Sequence, residues 1–403
     1  MRCAATTCLL LVCVMSCDFA PLPRLAHPPC PRTCGPSGTS DCCASPIVPG
    51  NADGATLAGQ MFYRGYDTAM DMLYTNKTAA AQVSDFRLDT YEVTVGRFRA
   101  FVNAGMGTSA TAPEPGAGAH DEIPRSGWDP AWNVNLEINT EELVAALSCD
   151  STYQTWNDTS TPNDNQPMNC LTWYEAMAFC IWDGGYLPTE AEWNYAASGG
   201  SEQRPYPWAS DGSTTVDCTY ADYSDGIASA CMDGVTGGAN RVGSESPKGD
   251  GLWGQADLAG NLSEWNLDWF TDTYPAPPCI DCANVETATS RVYRGGAFAS
   301  TAPSLRVALR TNGKPAERSY TVGVRCARTD GQLRHMNVLV GAYPSKAECE
   351  IAAARKNTEC YGRSMSRWDE YYYCAQGEAD TYNLWSRQLA PPNPPTCPPS
   401  AGT

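Results

Sequence analysis

The chain has 403 residues, which is long enough for one large domain or two of ordinary size. Hydrophobic residues make up 42% and aromatic residues 10%, so a substantial core is possible and global disorder is excluded. The net charge of −18 argues against nucleic acid as a partner, because phosphate binding needs a basic face. The three histidines, His27, His120 and His335, lie far apart in sequence, which argues against a multi-histidine metal site.

The cysteine content and the N-terminus predict an exported protein. Twenty cysteines without repeated zinc-type pairs are too many for a reducing cytosol. Residues 1–17 contain Arg2 and a short apolar run, which is typical of an export signal too short to span a bilayer. Because Val14 to Cys17 is similar to a bacterial lipobox, we expect a lipid anchor at Cys17 on a membrane of the cell envelope. The alternative is ordinary signal cleavage near the same point, which would leave a secreted protein.

Two regions follow the signal. Residues 18–54 are rich in proline and cysteine without a hydrophobic period, and they predict a tether. Residues 55–330 predict the main domain, which opens with a strand and turn over 60–67 and a strand over 86–92. Thr94 then begins a helix with one apolar face.

The middle of the domain alternates between loops and helices. Residues 104–166 are mostly loop with scattered tryptophans, apart from a short helix over 140–147. The most regular stretch, Pro167 to Gly200, predicts two short helices. In each of them a threonine is followed three residues later by a glutamate, which is the pattern of a capping box: Thr172 with Glu175, and Thr189 with Glu192.

A strand and turn are predicted over 291–298, and two strands, over 305–310 and 322–328, are predicted to close the domain. This order of elements indicates an α+β fold with a high coil content. Residues 331–403 contain four cysteines, a predicted helix over 345–356 and a proline-rich end. We interpret them as a small disulfide-stabilised appendage, because so short a segment has little core of its own.

Several blocks of this chain resemble the formylglycine-generating enzyme (sulfatase-modifying factor) family. They are DTYEVTVGRFRAFV (89–102), LPTEAEWNYAASGG (187–200), GLWGQADLAGNLSEW (251–265), RVYRGGAF (291–298) and VGVRCAR (322–328), in the order found in the family. The resemblance covers residues 55–330. It implies the loop-rich fold of that family, a variant of the C-type-lectin-like architecture.

The resemblance also implies two calcium sites, and hard cations of this kind take oxygen ligands. In the first, Asp257 and Glu264 would supply side chains, and Gly260 and Leu262 would supply carbonyl oxygens. In the second, Asp222 and Asp233 would supply side chains, and Tyr223 and Val235 carbonyl oxygens. The simpler interpretation is that Asp257 and Glu264 cap a turn and that Asp222 is a surface acid.

Disulfide pairings follow from the resemblance and from proximity. The family's cysteines at the positions of Cys180 and Cys326 form a structural disulfide. Proximity suggests Cys149 with Cys170 and Cys218 with Cys231. Cys279 and Cys282 have the spacing of a redox or metal motif, but no neighbouring ligand set is visible, and a loop staple is expected.

The catalytic part of the resemblance is incomplete. The family's oxidase binds copper through two cysteines after the RGG block, whereas residues 295–310 of this chain contain none. Ser300 and Leu305 stand where the two cysteines would be expected, and neither side chain can hold Cu(I). A second departure is Tyr186, where the family usually has arginine.

The sequence therefore predicts a sulfatase-modifying factor family protein that is divergent or non-catalytic, with structural calcium and without copper. One alternative is an active formylglycine-generating oxidoreductase that modifies an exported protein. The other is an envelope-anchored module that binds a peptide or glycan on a lectin-like scaffold. Motifs of other enzyme classes, such as GxSxG, HExxH and a phosphate-binding loop, are absent from the sequence.

Overall fold

The structure is a computed structural model, and its description is limited to part of the chain. The described residues are 46–51, 62–67, 77–159, 162–210, 212–225, 231, 238–274 and 279–329, with the backbone of strands 334–343, 370–376 and 382–390. Within them, no helix combines the length and the apolar character that crossing a bilayer requires. The signal, Cys17 and the predicted helix over 345–356 lie outside the described residues.

The described residues form a mixed α+β fold connected by long loops, as the sequence predicts. The α-helices are α1 (Val95–Asn103), α2 (Thr140–Ala146), α3 (Trp173–Trp182) and α4 (Glu190–Ala197). The strands are β1 (Ile47–Val48), β2 (Phe62–Tyr63), β3 (Ala80–Gln82), β4 (Phe86–Leu88), β5 (Ser263–Trp269), β6 (Cys279–Ile280), β7 (Arg291–Arg294), β8 (Thr311–Gly313), β9 (Val322–Gly323), β10 (Ala327–Thr329), β11 (Arg334–Tyr343), β12 (Glu370–Gln376) and β13 (Tyr382–Ala390).

These strands form four small sheets. The sheet order is β1-β4-β10 in one, β2-β3-β6 in another and β8-β7-β5-β9 in the four-stranded one. The strands after residue 330 form a separate antiparallel sheet of order β11-β13-β12. Strand β1 lies in the segment that the sequence analysis assigns to the tether, and it pairs with β4.

The predicted helix starts are confirmed. Thr172 and Thr189 each accept a hydrogen bond from the backbone N–H three residues on, and Glu175 and Glu192 each accept the N–H of the capping threonine. Thr94 caps α1 in the same way, through the N–H of Arg97. Local side chains therefore satisfy the first N–H groups of three helices.

The strand predicted over 305–310 is wrong. This segment follows a 3-10 helix, Ala302–Leu305, with turns. Its carbonyl groups are satisfied by side chains instead of a neighbouring strand: Val307 O accepts from Asn194 and Arg294, and Leu309 O accepts from Arg294. Side-chain donors from α4 and β7 therefore replace a β-ladder.

The strand predicted over 322–328 is present as two pieces. β9 pairs parallel to β5, whereas β10 pairs antiparallel to β4. The chain therefore crosses from one sheet to another, and Arg325 and Cys326 lie at the crossing with 0% exposure. Their contacts join the two sheets.

The main core lies between α1, α3 and the inner face of β5. Phe98 of α1 stacks on Phe179 of α3 with ring centroids 5.6 Å apart. The long loops pack through their own aromatic residues, since Trp128 and Trp132 from the loop after α1 contact each other, and Trp132 contacts Trp173. The tryptophans of residues 104–166 thus explain how this irregular segment is held.

Four disulfides reinforce the domain. The bond between Cys180 and Cys326 joins α3 to the sheet crossing over a sequence separation of 146, as the resemblance implies. The pairs predicted by proximity are also present, as is the short CxxC bridge: Cys149–Cys170, Cys218–Cys231 and Cys279–Cys282.

A buried cluster of four charged side chains connects α1, the ends of α3 and β4, and β10. Arg97 of α1 donates to both Asp89, after β4, and Asp183, after α3, at 2.8 Å each. Arg328 of β10 also pairs with both carboxylates. Two arginines and two aspartates thus alternate in charge, and we call them the Arg97 quartet.

We predict that Arg97→Met will destabilise the fold by about 3–5 kcal/mol, because it leaves buried carboxylates short of a cation. Urea unfolding followed by circular dichroism measures this. The control is Arg125→Met, which removes an ion pair to Glu286 whose side chains are 71% and 77% exposed and should cost at most about 1 kcal/mol. Equal losses in the two variants would contradict the role given to the quartet.

Candidate functional site

The segment that would carry copper in the family begins with a glycine turn after β7. Gly296 has φ of 72°, and a Cβ atom there would come within 2.6 Å of the Leu305 side chain. Ser300 is used locally: its Oγ accepts the N–H of Ala297, and its carbonyl oxygen accepts the N–H of Ser224. Ser300 therefore acts as a turn residue.

Leu305 has become part of the hydrophobic core. Its side chain is 0% exposed and packs in an apolar cluster that also contains Tyr206, Ala209, Ala221 and Ala259. Cu(I) needs soft thiolate ligands, and neither a serine hydroxyl nor an apolar leucine provides them. All cysteines of the described residues up to Thr329 are paired in disulfides. The residues present at this position therefore do not fit copper.

The predicted first calcium loop is a tight backbone turn. Asp257 and Asn261 both have φ of 58°, and Gly260 has φ of 90°. A Cβ atom at Gly260 would lie 2.3 Å from the carbonyl oxygen of Asp222, so only glycine fits at this contact. The N–H of Asn261 donates to that same carbonyl, which brings the two predicted calcium segments into contact.

The carboxylates of this loop are buried and already have partners. Glu264 has 0% exposure and accepts hydrogen bonds from Arg325, which binds both of its oxygens, and from Trp193 at 2.7 Å. Asp257 Oδ2 accepts the N–H of Gly243 at 2.6 Å. Among the described residues, no group of three or more acidic, histidine or cysteine side chains is arranged to hold a metal ion.

A third buried carboxylate, Glu92, belongs to this group. It accepts hydrogen bonds from the side chain of Asn261 and the N–H of Leu262. Burial, together with the negative charges of Asp257 and Glu264, raises the pKa of Glu92 well above its ordinary value. Burial also raises the pKa of Asp257 to about 6. Glu92, Asp257 and Glu264 thus surround the guanidinium of Arg325 in one buried centre, where the carboxylates repel one another.

The second predicted site is only partly within the described residues. Asp222 is buried and its Oδ2 accepts the N–H of Asn240 at 3.1 Å. Tyr223 is partly buried beside it. Asp233 and Val235 lie outside the described residues, so this ligand set stays a prediction.

A surface pocket of about 230 Å³ lies beside the end of the segment that replaces the copper site. Its lining comprises Gly65, Phe270, Asp272, Tyr274, Ala308, Leu309 and Arg310. Arg310 is fixed by Glu190, with contacts of 2.6 and 2.8 Å, and stacks on the rings of Phe270 and Tyr274. Arg294 binds the same Glu190 and donates to the Tyr274 hydroxyl. The pocket therefore combines two aromatic rings with the guanidinium of Arg310, which Glu190 holds, and the carboxylate of Asp272.

Tyr186 and His120 together contact one carboxylate. The Tyr186 hydroxyl donates to Glu192 Oε1 at 2.8 Å, and His120 Nε2 lies 3.5 Å from the same oxygen. His120 Nδ1 accepts the N–H of Glu122, so the proton faces Glu192. Burial alone would lower the pKa of His120, but the hydrogen bond and the charge of Glu192 outweigh it and raise the pKa.

Sequence reasoning missed Glu92, Arg325 and the pocket. A charged residue inside an otherwise strand-like or helix-starting block, such as Glu92 in DTYEVTV, is a usable signal of a buried ionic centre. The pocket has no such signal, because its lining comes from three separate segments.

Comparison with known proteins gives a consistent result. The model of the sulfatase-modifying factor enzyme 1-like domain matches residues 52–330. The chain is 30% identical over 268 residues to the formylglycine-generating enzyme of Thermomonospora curvata, which covers 61% of this chain and 82% of that protein. It is 29% identical over 172 residues to the inactive C-alpha-formylglycine-generating enzyme 2 of Bos taurus, covering 41% and 51%. The solved structure of PvdO from Pseudomonas aeruginosa is similar at 19% identity and a TM-score of 0.46, covering 70% of this chain and 93% of that one.

We predict that the contact between His120 and Glu192 makes stability depend on pH. Because the pKa of folded His120 lies above its ordinary 6.5, the contribution is complete below pH 6.5 and is lost as pH rises through the raised pKa. Because the pKa of Glu192 is lowered from 4.5, the contribution is also lost as pH falls through that lowered value.

The measurement is the free energy of unfolding across this pH range for the unmodified chain and for His120→Gln. The difference between them should shrink by about 1–3 kcal/mol between pH 6 and about pH 9, as for hydrogen bonds to charged groups. A difference that stays constant with pH would show that His120 contributes only packing.

Proposed function

We propose, since the chain belongs to the sulfatase-modifying factor family, that it uses the family scaffold without the family's copper-dependent oxidation. In this proposal the protein is an exported, non-catalytic member that acts as a binding module for a peptide or glycan. The observation that carries the proposal is the placement of Leu305 in the apolar core beside Gly296, where a thiolate would be needed.

Two further observations support the proposal. One relative in the family is itself named an inactive enzyme, so the scaffold occurs without activity. The pocket lined by Phe270, Tyr274, Asp272 and Arg310 offers apolar rings together with a few charged groups, the combination that ligand sites use.

Export and membrane attachment through Cys17 are part of the same proposal. The four disulfides of the described residues suit an oxidising compartment outside the cytosol. Radiolabelled fatty acid incorporated into the unmodified chain but not into Cys17→Ser would support acylation of this residue.

To test whether the chain lacks oxidase activity, we would measure Cu(I) binding and the conversion of a CxPxR peptide by the full chain. We expect neither stoichiometric copper nor turnover, because residues 300 and 305 offer no soft ligand. One bound Cu(I) together with peptide conversion would overturn the proposal in favour of an active oxidoreductase.

The double variant Ser300→Cys, Leu305→Cys examines whether the surrounding site is intact. We expect it to gain Cu(I) affinity by at least tenfold over the matched control Ser300→Ala, Leu305→Ala, since two thiolates are the ligands that Cu(I) prefers. The control creates a similar loss of packing at Leu305 without adding a ligand. Equal affinity of the two variants would show that the backbone no longer presents this site.

We also propose that calcium binds at the Asp257 loop, where buried carboxylates raise one another's pKa and a bound cation would relieve that repulsion. The cation would add structural stability. We expect the melting temperature to be higher with calcium than with a chelator. At a calcium concentration a hundredfold above Kd, binding to the folded state alone adds about 2.7 kcal/mol to the free energy of unfolding. Asp257→Asn should remove the shift, and a shift that survives this change would place any calcium elsewhere.

A further inference from the structure

The disulfide between Cys279 and Cys282 differs from the others in the described part of the chain. It closes a loop with a sequence separation of 3, whereas Cys180–Cys326 spans 146 residues. Because disulfides that close longer loops stabilise the folded state more, this one is expected to contribute the least stability of the four. Cys279 is 3% exposed in β6, while Cys282 is partly exposed. Cys282 is therefore the more exposed residue of this pair.

A buried cation contacts the sulfur atom of Cys282. Arg64 Nη1 donates to Cys282 Sγ at 3.5 Å, and Arg64 is only 2% exposed. The guanidinium is held in place over the ring of Tyr274 at 4.6 Å. A neighbouring guanidinium stabilises a thiolate over a thiol, and the CxxC spacing acts in the same direction.

One negative group opposes this effect. It is Asp281, which lies between the two cysteines and is 5% exposed. The carboxylates of Glu190 and Asp268 also interact with the charge of Arg64 itself. The Asp281 carboxylate accepts hydrogen bonds from the backbone N–H and the hydroxyl of Ser84. Those bonds orient Asp281 towards Ser84, while the contact to Cys282 Sγ comes from the cation Arg64.

We propose that Cys279–Cys282 is a redox-active disulfide that exchanges with the thiols of an exported protein. A partner thiolate attacks Sγ of Cys282, which forms a mixed disulfide and releases Cys279 as the leaving thiolate. A second thiol of the partner then attacks the partner's sulfur atom in the mixed disulfide. This step releases the Cys282 thiolate beside Arg64.

The exchange is balanced in atoms and electrons. The two partner thiols lose two electrons and form a disulfide. One of their protons goes to the Cys279 thiolate and the other to solvent, while Cys282 stays a thiolate beside Arg64. Arg64 favours the reduced form by stabilising the Cys282 thiolate, which makes the disulfide a better oxidant. This activity is independent of copper and of residues 300 and 305.

The first experiment incubates the folded full chain with dithiothreitol, and alkylation with peptide mass mapping follows each disulfide. We expect Cys279–Cys282 to be reduced at least about tenfold faster than Cys180–Cys326, because Cys282 is partly exposed whereas Cys180 and Cys326 are both fully buried. The buried pair of the same molecule is the internal control. Reduction of both pairs together, and only with loss of near-ultraviolet circular dichroism, would overturn the proposal.

The second experiment measures the pKa of the Cys282 thiol from the pH dependence of alkylation in reduced protein. We expect Arg64→Gln to raise it by about one unit or more, whereas Arg64→Lys should retain most of the effect. Asp281→Asn should lower it, and Arg125→Met, at an exposed position, should leave it unchanged.

If Arg64→Gln does not fold, Arg64→Lys and Asp281→Asn still decide the matter. An unmodified chain whose Cys282 thiol has the ordinary pKa of about 8.5, unaffected by Asp281→Asn, would overturn the role given to Arg64.

Discussion

The fold depends on arginine side chains that are buried against carboxylates. The Arg97 quartet joins α1, the end of α3, β4 and β10, which come from widely separated parts of the chain. Burial alone would raise the pKa of Asp89, but Arg328 and Arg97 outweigh it and hold the pKa at about 2. Since removal of one member leaves an uncompensated buried charge, the quartet specifies how these elements meet.

Two similar centres, built on Arg325 and Arg294, join further elements of the domain. Arg325 at the sheet crossing binds Glu264 of β5 and three backbone carbonyl groups. Arg294 of β7 binds Glu190 of α4 and two backbone carbonyl groups. Short strands leave many carbonyl groups without a ladder partner, and a guanidinium offers five donors in a planar fork. These arginines therefore replace the regular backbone bonding that longer sheets would supply.

Local chemistry explains what the sequence could predict, and tertiary contacts explain what it could not. The capping boxes of α3 and α4 depend on residues three apart, so Thr172 and Thr189 identify both helix starts. The segment 305–310 is rich in apolar residues, as many strands are, yet its carbonyl groups accept hydrogen bonds from Asn194 and Arg294. Glu92 likewise meets Asp257 and Glu264 only after folding, which no local pattern encodes.

The scaffold and the chemistry of this family are separable for a physical reason. The segment that would carry the copper ligands is held by Arg294 and Asn194 through backbone carbonyl groups of Val307 and Leu309, which do not depend on the side chains at 300 and 305. Leucine at 305 then gains burial in an apolar cluster, which stabilises the fold in place of a metal. The architecture therefore does not depend on thiolates at these two positions, and Arg310 in the neighbouring pocket is held by Glu190.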